Sequence, residues 1–343
     1  MIDAVAVPYG AGPGPRPDLD ALARRLPPRP LTRFAPAPTG DLHLGHLVNG
    51  IYVWGIARAL GGRVLVRIED HDRTRSRAAF ERSILDDLAW LGLEPDVLGP
   101  GCGAPVPALL RQSDETHRYE AALSRLRASA HVYACDCSRR DIAQQAGDVV
   151  HRETPYPGRC RHRGLTEAPG RGLRLEIGPG IEPFDDGRLG PQAQDPAAQC
   201  GDLLLRDRLG HWTYQFAVTV DDLDQRVDLV IRGEDLLAST GRQLRLARLL
   251  GRQAPAVFLH PGLVRRASGQ KLSKSSRDTA VRDLRRAGAT PPELLGRAAA
   301  LCGLAAEGVR VDARDLARLF DGAGRPALPR QWPGPSYVSG SAE

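Results

Sequence analysis

The chain contains almost no lysine: only Lys271 and Lys274 are lysines, and the other 45 of its 47 basic residues are arginines. It has no apolar run that approaches the roughly 20 residues of a membrane span. Its N-terminus shows no charged-then-apolar signal pattern, and no repeat with a period of about 20–50 residues is present. These absences exclude a membrane-spanning protein and a repeat array, and they predict a cytoplasmic protein.

The composition indicates a globular chain with more than one substructure, because 343 residues are enough to bury a full core. The 47 basic and 41 acidic residues give a net charge of +6, which is compatible with a polyanionic partner but is weak evidence for one. The chain has six cysteines. In a cytoplasmic protein we expect them to be thiols or metal ligands, not disulfides.

The stretch 36–46 organises the sequence, because it joins a short predicted strand, 31–35, to an apolar helical pattern that ends at a pair of glycines. It places His43 and His46 on one face at the start of that helix. A helix start binds anions through its backbone donors and its dipole, and Gly45 lets a ring or a phosphate approach the backbone. Taken alone, the same pattern also fits a surface helix.

The two lysines lie far downstream, in 271–275. In a chain that otherwise uses arginine, Lys271 and Lys274 indicate a site that needs a compact, mobile point charge and not a rigid fork. Such a charge suits a loop that closes over a phosphate while negative charge develops on it. The alternative is an ordinary solvated basic loop.

The two motifs together, His43-Leu44-Gly45-His46 and the KLSKS stretch 271–275, resemble the signature motifs of class I aminoacyl-tRNA synthetases. The stretches 33–40 and 67–72 resemble the glutamate-specific branch, and the match covers about 31–276. The resemblance implies an α/β fold: a Rossmann-like parallel sheet with an inserted zinc-containing subdomain and a short C-terminal helical segment.

The periodicity predicts strand, helix, strand and helix over 31–95, which is the βαβ opening of a parallel nucleotide-binding sheet. Segments 203–206 and 212–220 are predicted as strands or buried segments, and 135–164 as irregular. Other predicted helices cover 78–91, 114–128, 241–250, 291–301 and 313–320, and other predicted strands cover 63–68, 131–134 and 257–259. The expected domains are a flexible extension (1–30), the first half of the catalytic domain (31–112), an inserted subdomain (113–205), the second half (206–276) and a helical stem with a Pro/Gly tail (277–343).

Activation of glutamate needs guanidinium donors for two carboxylates and an acid for the ammonium group. Arg33 ends the first predicted strand, and Arg232 ends a later one, formed by the apolar run 227–231. Ligands of parallel sheets bind at such strand ends, and each arginine can pair with a carboxylate in bidentate fashion. Glu69 ends the second strand and is expected to hold the ammonium group. The alternatives are surface charge for the arginines and a strand-end salt bridge for Glu69.

The resemblance implies further site residues. Tyr214 matches a tyrosine that contacts the substrate in the family, although it also fits a core aromatic residue. The remaining implied contacts to glutamate are Phe34, Ala35, Pro36 and Ala37; those to ATP are His43, Gly45, His46 and Lys274; and the catalytic residues are His43, His46, Lys271 and Lys274.

A second cluster is Cys135-x-Cys137 followed by Cys160. Three nearby thiolates suit a structural zinc ion, which takes four ligands. Spacing alone favours His151 or His162 as the fourth ligand, whereas the resemblance points to the phenolate of Tyr156. The alternative is three thiols without a metal.

After the lysine motif 68 residues remain, which the resemblance marks as too few for the helical anticodon-binding portion of ordinary glutamyl-tRNA synthetases. It therefore implies membership of a truncated subgroup that transfers glutamate to the queuosine base of tRNA(Asp). The implied substrates are ATP with Mg²⁺, L-glutamate and tRNA(Asp) carrying queuosine, and we expect a monomer. The alternatives are a shortened glutamyl-tRNA synthetase or a ligase with another acceptor, and a non-catalytic RNA-binding module.

Overall fold

The computed structural model describes residues 16–71, 74–96, 109–146, 154–263 and 279–321. Its α-helices are α1 (Leu19–Arg25), α2 (Leu44–Ala59), α3 (Ala78–Leu91), α4 (Thr116–Ser129), α5 (Arg139–Ala146), α6 (Pro196–Cys200), α7 (Tyr214–Asp224), α8 (Thr240–Leu249), α9 (Val281–Arg286) and α10 (Pro291–Leu301). Its strands are β1 (Leu31–Phe34), β2 (Arg63–Ile68), β3 (Leu109–Arg111), β4 (Val132–Cys135), β5 (Gly172–Leu175), β6 (Glu182–Asp186), β7 (Gly190–Gln194), β8 (Leu203–Arg206), β9 (Leu229–Ile231) and β10 (Val257–Leu259). Three 3₁₀ helices cover Gln112–Glu115, Glu234–Ser239 and Ala313–Leu319.

The main sheet has seven strands in the order β3-β2-β1-β9-β10-β6-β7, and all neighbours are parallel except the β6–β7 hairpin. In the inner strand β1, Thr32 is aligned with Val64 of β2 on one side and with Leu229 of β9 on the other. The predicted βαβ opening is thus confirmed. Because the strand order reverses between β1 and β9, their carboxyl ends form the crevice where open α/β sheets bind ligands.

Helix α2 lies in the main core and carries the chain away from this crevice. It is buried along most of its length, and Ile51, Val53 and Ile56 are fully inaccessible to solvent. Helix α10 and the 3₁₀ helix Ala313–Leu319 pack against it. The C-terminal helical segment therefore covers the catalytic sheet, and no described helix is both long and apolar enough to cross a membrane.

A second, antiparallel sheet has the strand order β4-β5-β8 and forms a separate core with α4 and α7. Tyr119, Leu175 and Phe216 are buried in that core. The hairpin β6–β7 belongs to the main sheet, because Asp186 of β6 pairs with Phe258 of β10. Residues 182–194 thus join the catalytic sheet, although they lie within the 113–205 segment that was expected as an insertion.

The structure corrects part of two secondary-structure predictions. Segment 212–220 is buried as predicted from residue 216 onward, but residues 214–224 form helix α7 and not a strand. A run rich in aromatic and β-branched residues suggests a strand, and packing of its helical face against the second core overrides that preference. The segment 135–164, expected to be irregular, contains helix α5.

The expectation of a flexible extension does not hold for residues 16–30. Asp18 caps α1 by accepting hydrogen bonds from the backbone N–H groups of Asp20 and Ala21. Leu19 and Leu22 are buried in the main core. This segment is therefore a packed part of the catalytic unit; residues 1–15 lie outside the described residues.

Candidate active site and cysteine cluster

A cavity of about 510 Å³ opens at the carboxyl ends of β1 and β9, at the crevice where the strand order reverses. Nine of the residues that line it were singled out from the sequence: Arg33, Ala35, Ala37, His43, Gly45, His46, Glu69, Tyr214 and Arg232. Residues separated by up to about 200 positions along the chain therefore meet in one place. Their roles stay predictions, but their proximity is a feature of the structure.

The histidine turn begins helix α2 with a reciprocal cap. The Nδ1 atom of His43 accepts a hydrogen bond from the backbone N–H of Gly45 at 3.1 Å, and Nδ1 of His46 accepts one from the backbone N–H of His43 at 3.1 Å. In its neutral form each ring then carries its proton on Nε2. The turn thus combines two imidazole donors with the positive end of a helix, which suits a phosphate group.

Arg33 and Glu69 are connected through two residues that the sequence analysis did not single out, Arg67 and Asp222. Oδ1 of Asp222 accepts hydrogen bonds from Nε of Arg33 at 3.1 Å and from Nη1 of Arg67 at 2.7 Å. Nη2 of Arg67 donates to Oε1 of Glu69 at 3.0 Å. Each side chain of this network is at most 10% exposed, so its members hold one another in place.

Asp222 and Arg67 stay charged because oppositely charged neighbours compensate their burial. Burial raises the pKa of the Asp222 carboxyl group, but Arg33 and Arg67 outweigh this effect and lower it. Burial lowers the pKa of Arg67, but the surrounding carboxylates outweigh the effect of burial, so the pKa is raised. A sequence signal for Arg67 existed: it is a charged residue that interrupts the buried apolar part of β2, between Val66 and Ile68.

Arg232 follows β9 and is held on several sides. Its Nε donates to Nε2 of His260 at 3.2 Å, Nη1 donates to Gln243 at 2.6 Å, and Nη2 donates to Thr240 at 3.0 Å. Tyr214 lines the same cavity as Arg232. Burial raises the pKa of Tyr214, and the Glu69 carboxylate adds to this effect. Tyr214 is thereby a neutral hydroxyl between an acid and a guanidinium group.

Residues 33–37 alternate in direction, as an extended chain must. The side chains of Arg33, Ala35 and Ala37 line the cavity. Phe34 packs instead against Trp54 in the core, with ring centroids 5.2 Å apart. Pro36 is buried, and its carbonyl accepts the backbone N–H of Glu69 at 3.0 Å. Neither Phe34 nor Pro36 is among the residues that line the cavity, and Pro36 instead fixes the backbone of Glu69.

Lys271 and Lys274 lie outside the described residues. On the N-terminal side of that segment, Pro261, Gly262 and Leu263 line the cavity. On its C-terminal side, the backbone N–H of Val281 donates to the carbonyl of Leu42, next to the histidine turn, at 2.8 Å. The described chain on both sides of the lysine motif is therefore beside the cavity.

The thiols of Cys135, Cys137 and Cys160 are buried and lie within 4.8 Å of one another. The hydroxyl oxygen of Tyr156 is 3.5 Å from Cys135 Sγ and 3.9 Å from Cys137 Sγ. His162 is exposed and stacks on His131 instead, and His151 lies outside the described residues. The geometry therefore provides three sulfur atoms and one phenol oxygen at one point, which fits the tetrahedral donor set of zinc.

The charges around this cluster also fit a cation bound by thiolates. Nε of Arg174 donates to Cys135 Sγ at 3.4 Å, and its guanidinium group lies 3.7 Å over the Tyr156 ring. Arg163 donates to Cys160 Sγ at 3.3 Å. Burial and the neighbouring sulfur atoms raise the pKa of Cys137 to about 12, so a metal ion would have to displace a firmly held proton there.

Comparison with known proteins places the chain in one family. The model of the catalytic domain of class I tRNA synthetases (E and Q) matches residues 31–316. A glutamyl-Q tRNA(Asp) synthetase of Nitratidesulfovibrio vulgaris is 38% identical over 87% of this chain and 94% of its own length. One from Burkholderia cenocepacia is 43% identical over 81% of this chain and 89% of its own length.

Solved structures with the same fold include two from Elizabethkingia. A glutamate tRNA ligase of E. meningosepticum, in complex with its amino acid, has a TM-score of 0.68 at 25% identity over 85% of this chain. The glutamate-tRNA synthetase of E. anophelis has a TM-score of 0.69 at 25% identity over 85% of this chain. This chain covers 65% and 66% of those two chains, slightly less than two thirds of their length.

Proposed function

The chain belongs to the class I tRNA synthetases for glutamate and glutamine, through their catalytic domain, and we propose that it is a glutamyl-queuosine tRNA(Asp) synthetase. It activates L-glutamate with ATP and transfers it to the queuosine base in the anticodon loop of tRNA(Asp). The observation that carries this proposal is the convergence of Arg33, Arg232 and Glu69 on one cavity beside the histidine turn. Two guanidinium groups and one carboxylate complement the two carboxylates and the ammonium group of glutamate.

In the first step an oxygen of the glutamate α-carboxylate attacks the α-phosphorus of ATP, and pyrophosphate leaves with the electrons of the broken P–O bond. Arg33 and Arg232 hold the carboxylates, and Glu69 holds the ammonium group. His43 and His46 donate hydrogen bonds to phosphate oxygens. Mg²⁺ bound with ATP, together with Lys271 and Lys274, would balance the negative charge of the phosphates. Because Asp222 and Arg67 fix Arg33 and Glu69 in advance, little reorganisation is needed when glutamate binds.

In the second step a hydroxyl group of the acceptor attacks the carbonyl carbon of glutamyl-adenylate, and AMP leaves. Queuosine offers vicinal hydroxyl groups on a cyclopentene ring, and these resemble the terminal ribose that ordinary synthetases esterify. The names of the relatives support this acceptor, and the chain covers 94% and 89% of two of them. The second candidate is a glutamyl-tRNA synthetase that charges the 3′ end, which the solved neighbours favour.

The test begins with ATP–pyrophosphate exchange, which should occur with L-glutamate and Mg²⁺ in the absence of tRNA. Labelled glutamate is then offered to two tRNA(Asp) preparations, one with queuosine and one with guanosine at the wobble position. We expect label only on the first, and nuclease mapping should place it in the anticodon loop. Label at the 3′ end, or equal labelling of both preparations, would refute the queuosine assignment, and exchange that prefers another amino acid would refute the glutamate assignment.

We also propose that Cys135, Cys137, Cys160 and Tyr156 hold one structural zinc ion. When bound, the ion ties the end of β4 to the segment that follows α5, and its positive charge compensates the thiolates. No catalytic step passes through it. The convergence of four donor atoms and the two arginines beside the sulfur atoms support this proposal.

The Cys137→Ala variant tests this zinc site, with Cys200→Ala as the matched control. Both cysteines are buried, but Cys200 lies outside the cluster and hydrogen-bonds the carbonyl of Pro196. Elemental analysis should give about one zinc per chain for the wild type and for Cys200→Ala, and much less for Cys137→Ala. Tyr156→Phe should weaken zinc retention against a chelator without removing the thiolates. Protein without zinc, with unchanged stability, would contradict the proposal.

A further inference from the structure

Three side chains at neighbouring strand ends form a buried series of hydrogen bonds that leads to the cavity. Arg232 follows β9, His260 follows β10, and Asp186 ends β6, and these three strands are adjacent in the main sheet. Nδ1 of His260 lies 2.6 Å from Oδ2 of Asp186, and Nε of Arg232 lies 3.2 Å from Nε2 of His260. The side chains of Asp186 and His260 are both 0% exposed, so neither of them contacts a ligand directly.

The hydrogen-bond partners of His260 determine which of its two ring nitrogens carries the proton. The carboxylate of Asp186 accepts, so Nδ1 must be the donor. The guanidinium group of Arg232 only donates, so Nε2 must be the acceptor. The hydroxyl of Thr240 lies 3.3 Å from Nε2 and accepts from Nη2 of Arg232, so it can donate its own proton to the same nitrogen. Burial lowers the pKa of His260, and the hydrogen bond to Asp186 offsets this only in part, so the ring stays neutral. A proton on Nε2 would break the bond to Arg232 and place a second donor against it.

Asp186 is itself held in one orientation. Its Oδ1 accepts the backbone N–H groups of Arg188 and Leu189, each at 3.0 Å, in the turn between β6 and β7. Its Oδ2 is thereby directed at His260. The His260 ring also stacks on Phe258, with an interplanar angle of 4°, so it has little freedom to turn.

We propose that Asp186 and His260 form a positioning relay that fixes Arg232 for the substrate carboxylate. This inference rests on the proposed function, because it assigns Arg232 to the amino acid. Asp186 selects the tautomer of His260, and His260 then accepts from Nε of Arg232. The remaining guanidinium edge is oriented by Thr240 and Gln243. Asp186 and His260 are thus positioning residues for amino acid binding, and the ATP side of the cavity does not depend on them.

Asp186→Asn and a pair of His260 variants test the relay. In Asp186→Asn the two backbone N–H groups keep the amide oxygen, so the amide N–H faces Nδ1 and forces the proton onto Nε2. The amide of His260→Asn can still donate to Asp186 but offers no acceptor to Nε of Arg232. The longer side chain of His260→Gln can place its amide oxygen at the position of Nε2 and accept from Nε of Arg232. Asp186→Asn and His260→Asn should each raise KM for glutamate in pyrophosphate exchange by about 10- to 100-fold.

His260→Gln should stay close to wild type, and KM for ATP should change little in all three variants. If KM for glutamate rose equally in His260→Asn and His260→Gln, or if KM for glutamate and KM for ATP rose in parallel, His260 would act only through core packing. Either result would overturn the proposal. If the wild type activates an amino acid other than glutamate, the proposed substrate fails, and the same variants are measured with that amino acid.

A readout without activity keeps the relay testable even if exchange fails altogether. The ¹⁵N chemical shifts of histidine side chains distinguish the two neutral tautomers, and His260→Gln identifies the signals that belong to His260. We expect the Nδ1–H tautomer in the wild type and the Nε2–H tautomer in Asp186→Asn. An Nε2–H or doubly protonated ring in the wild type at neutral pH would overturn the proposal.

Discussion

At the residue scale, the candidate site depends on buried charges that compensate one another. Asp222 is 7% exposed and faces the guanidinium groups of both Arg33 and Arg67. Removing one partner from such a group leaves the others charged and without water. The site is therefore sensitive to a change that touches no substrate atom.

The first prediction concerns Asp222→Asn, which keeps the shape and one acceptor oxygen but removes the charge. We expect the free energy of unfolding to fall by about 3 kcal/mol, because two buried cations lose a counter-charge. KM for glutamate should rise as Arg33 loses its orientation. Urea denaturation and exchange kinetics measure the two effects. Asp224→Asn on the same helix is the control, since Asp224 is 26% exposed and pairs with Arg125 at 3.7 Å; equal effects in both variants would contradict the argument.

A second prediction at this scale concerns pH and Asp87 of α3. Burial raises the pKa of Asp87 to about 6, and the Asp41 carboxylate adds to this effect, which Arg285 and Arg282 oppose. Because the pKa is higher in the folded state than in the unfolded chain, the stability linked to the protonated group is complete below about pH 4 and is lost as pH rises through about 6.

Asp87→Asn should therefore stabilise the protein at pH 7.5, by on the order of 1–3 kcal/mol, because the variant carries no buried charge. The difference from wild type should shrink toward zero below about pH 4. Urea denaturation across this pH range measures it. The exposed neighbour Asp86, changed to Asn, should show no such profile. Destabilisation by Asp87→Asn at pH 7.5 would show that the Asp87 carboxylate is needed by its arginine neighbours.

At the element scale, α2 must approach the C-terminal segment closely, and Gly55 permits this. A Cβ atom at Gly55 would overlap the ring of Phe320 and lie 3.0 Å from the carbonyl oxygen of Leu316. Phe320 is 3% exposed and packs edge-on against Tyr52, so its ring has nowhere to move. Helix propensity alone would favour alanine over glycine there.

We predict that Gly55→Ala destabilises the protein by about 1–3 kcal/mol, because overpacking outweighs the gain in helix propensity. Gly50→Ala is the matched control in the same helix. Its Cβ atom would lie 3.4 Å from Cδ1 of Leu93, an ordinary contact, so propensity should stabilise that variant by up to about 1 kcal/mol. Thermal denaturation of the two variants should shift in opposite directions; a stabilising Gly55→Ala would disprove the close approach.

At the scale of the whole molecule, the N-terminal helix joins parts of the chain that are far apart in sequence. Leu22 of α1 is 1% exposed in the main core, near the turn after β6. Arg25 pairs with Asp185 of β6 at 3.1 Å. Helix α1 thus supports the edge of the sheet that presents Asp186.

Leu22→Ala should lower the free energy of unfolding by about 2–5 kcal/mol, the usual cost of a cavity at a fully buried leucine. Leu209→Ala is the control, because Leu209 is 78% exposed and its truncation should change stability by less than about 0.5 kcal/mol. Guanidinium denaturation compares the two. A neutral effect of Leu22→Ala would mean that residues 16–30 contribute nothing to the folded unit.

The amino-acid sequence by itself determined the fold class and most of the elements. The helix bounds 78–91 and 291–301 and the strand bounds 63–68 and 257–259 were predicted as the structure has them. Periodicity, caps and turn residues act between neighbours along the chain, so they can be read without a structure. The lysine pair, the histidine turn and the spaced cysteines were visible for the same reason, because each is a local pattern of unusual residues.

Only the tertiary structure decided which charges meet. Arg33 and Asp222 are 189 positions apart, and Asp186 and His260 are 74 positions apart. No local pattern marks such pairs, because their partners are chosen by the strand order and by the burial that follows from it. The same holds for helix α7, where packing overrides local strand preference. A single sequence states which residues are unusual, whereas the assembled sheet decides which of them lie close enough to act together.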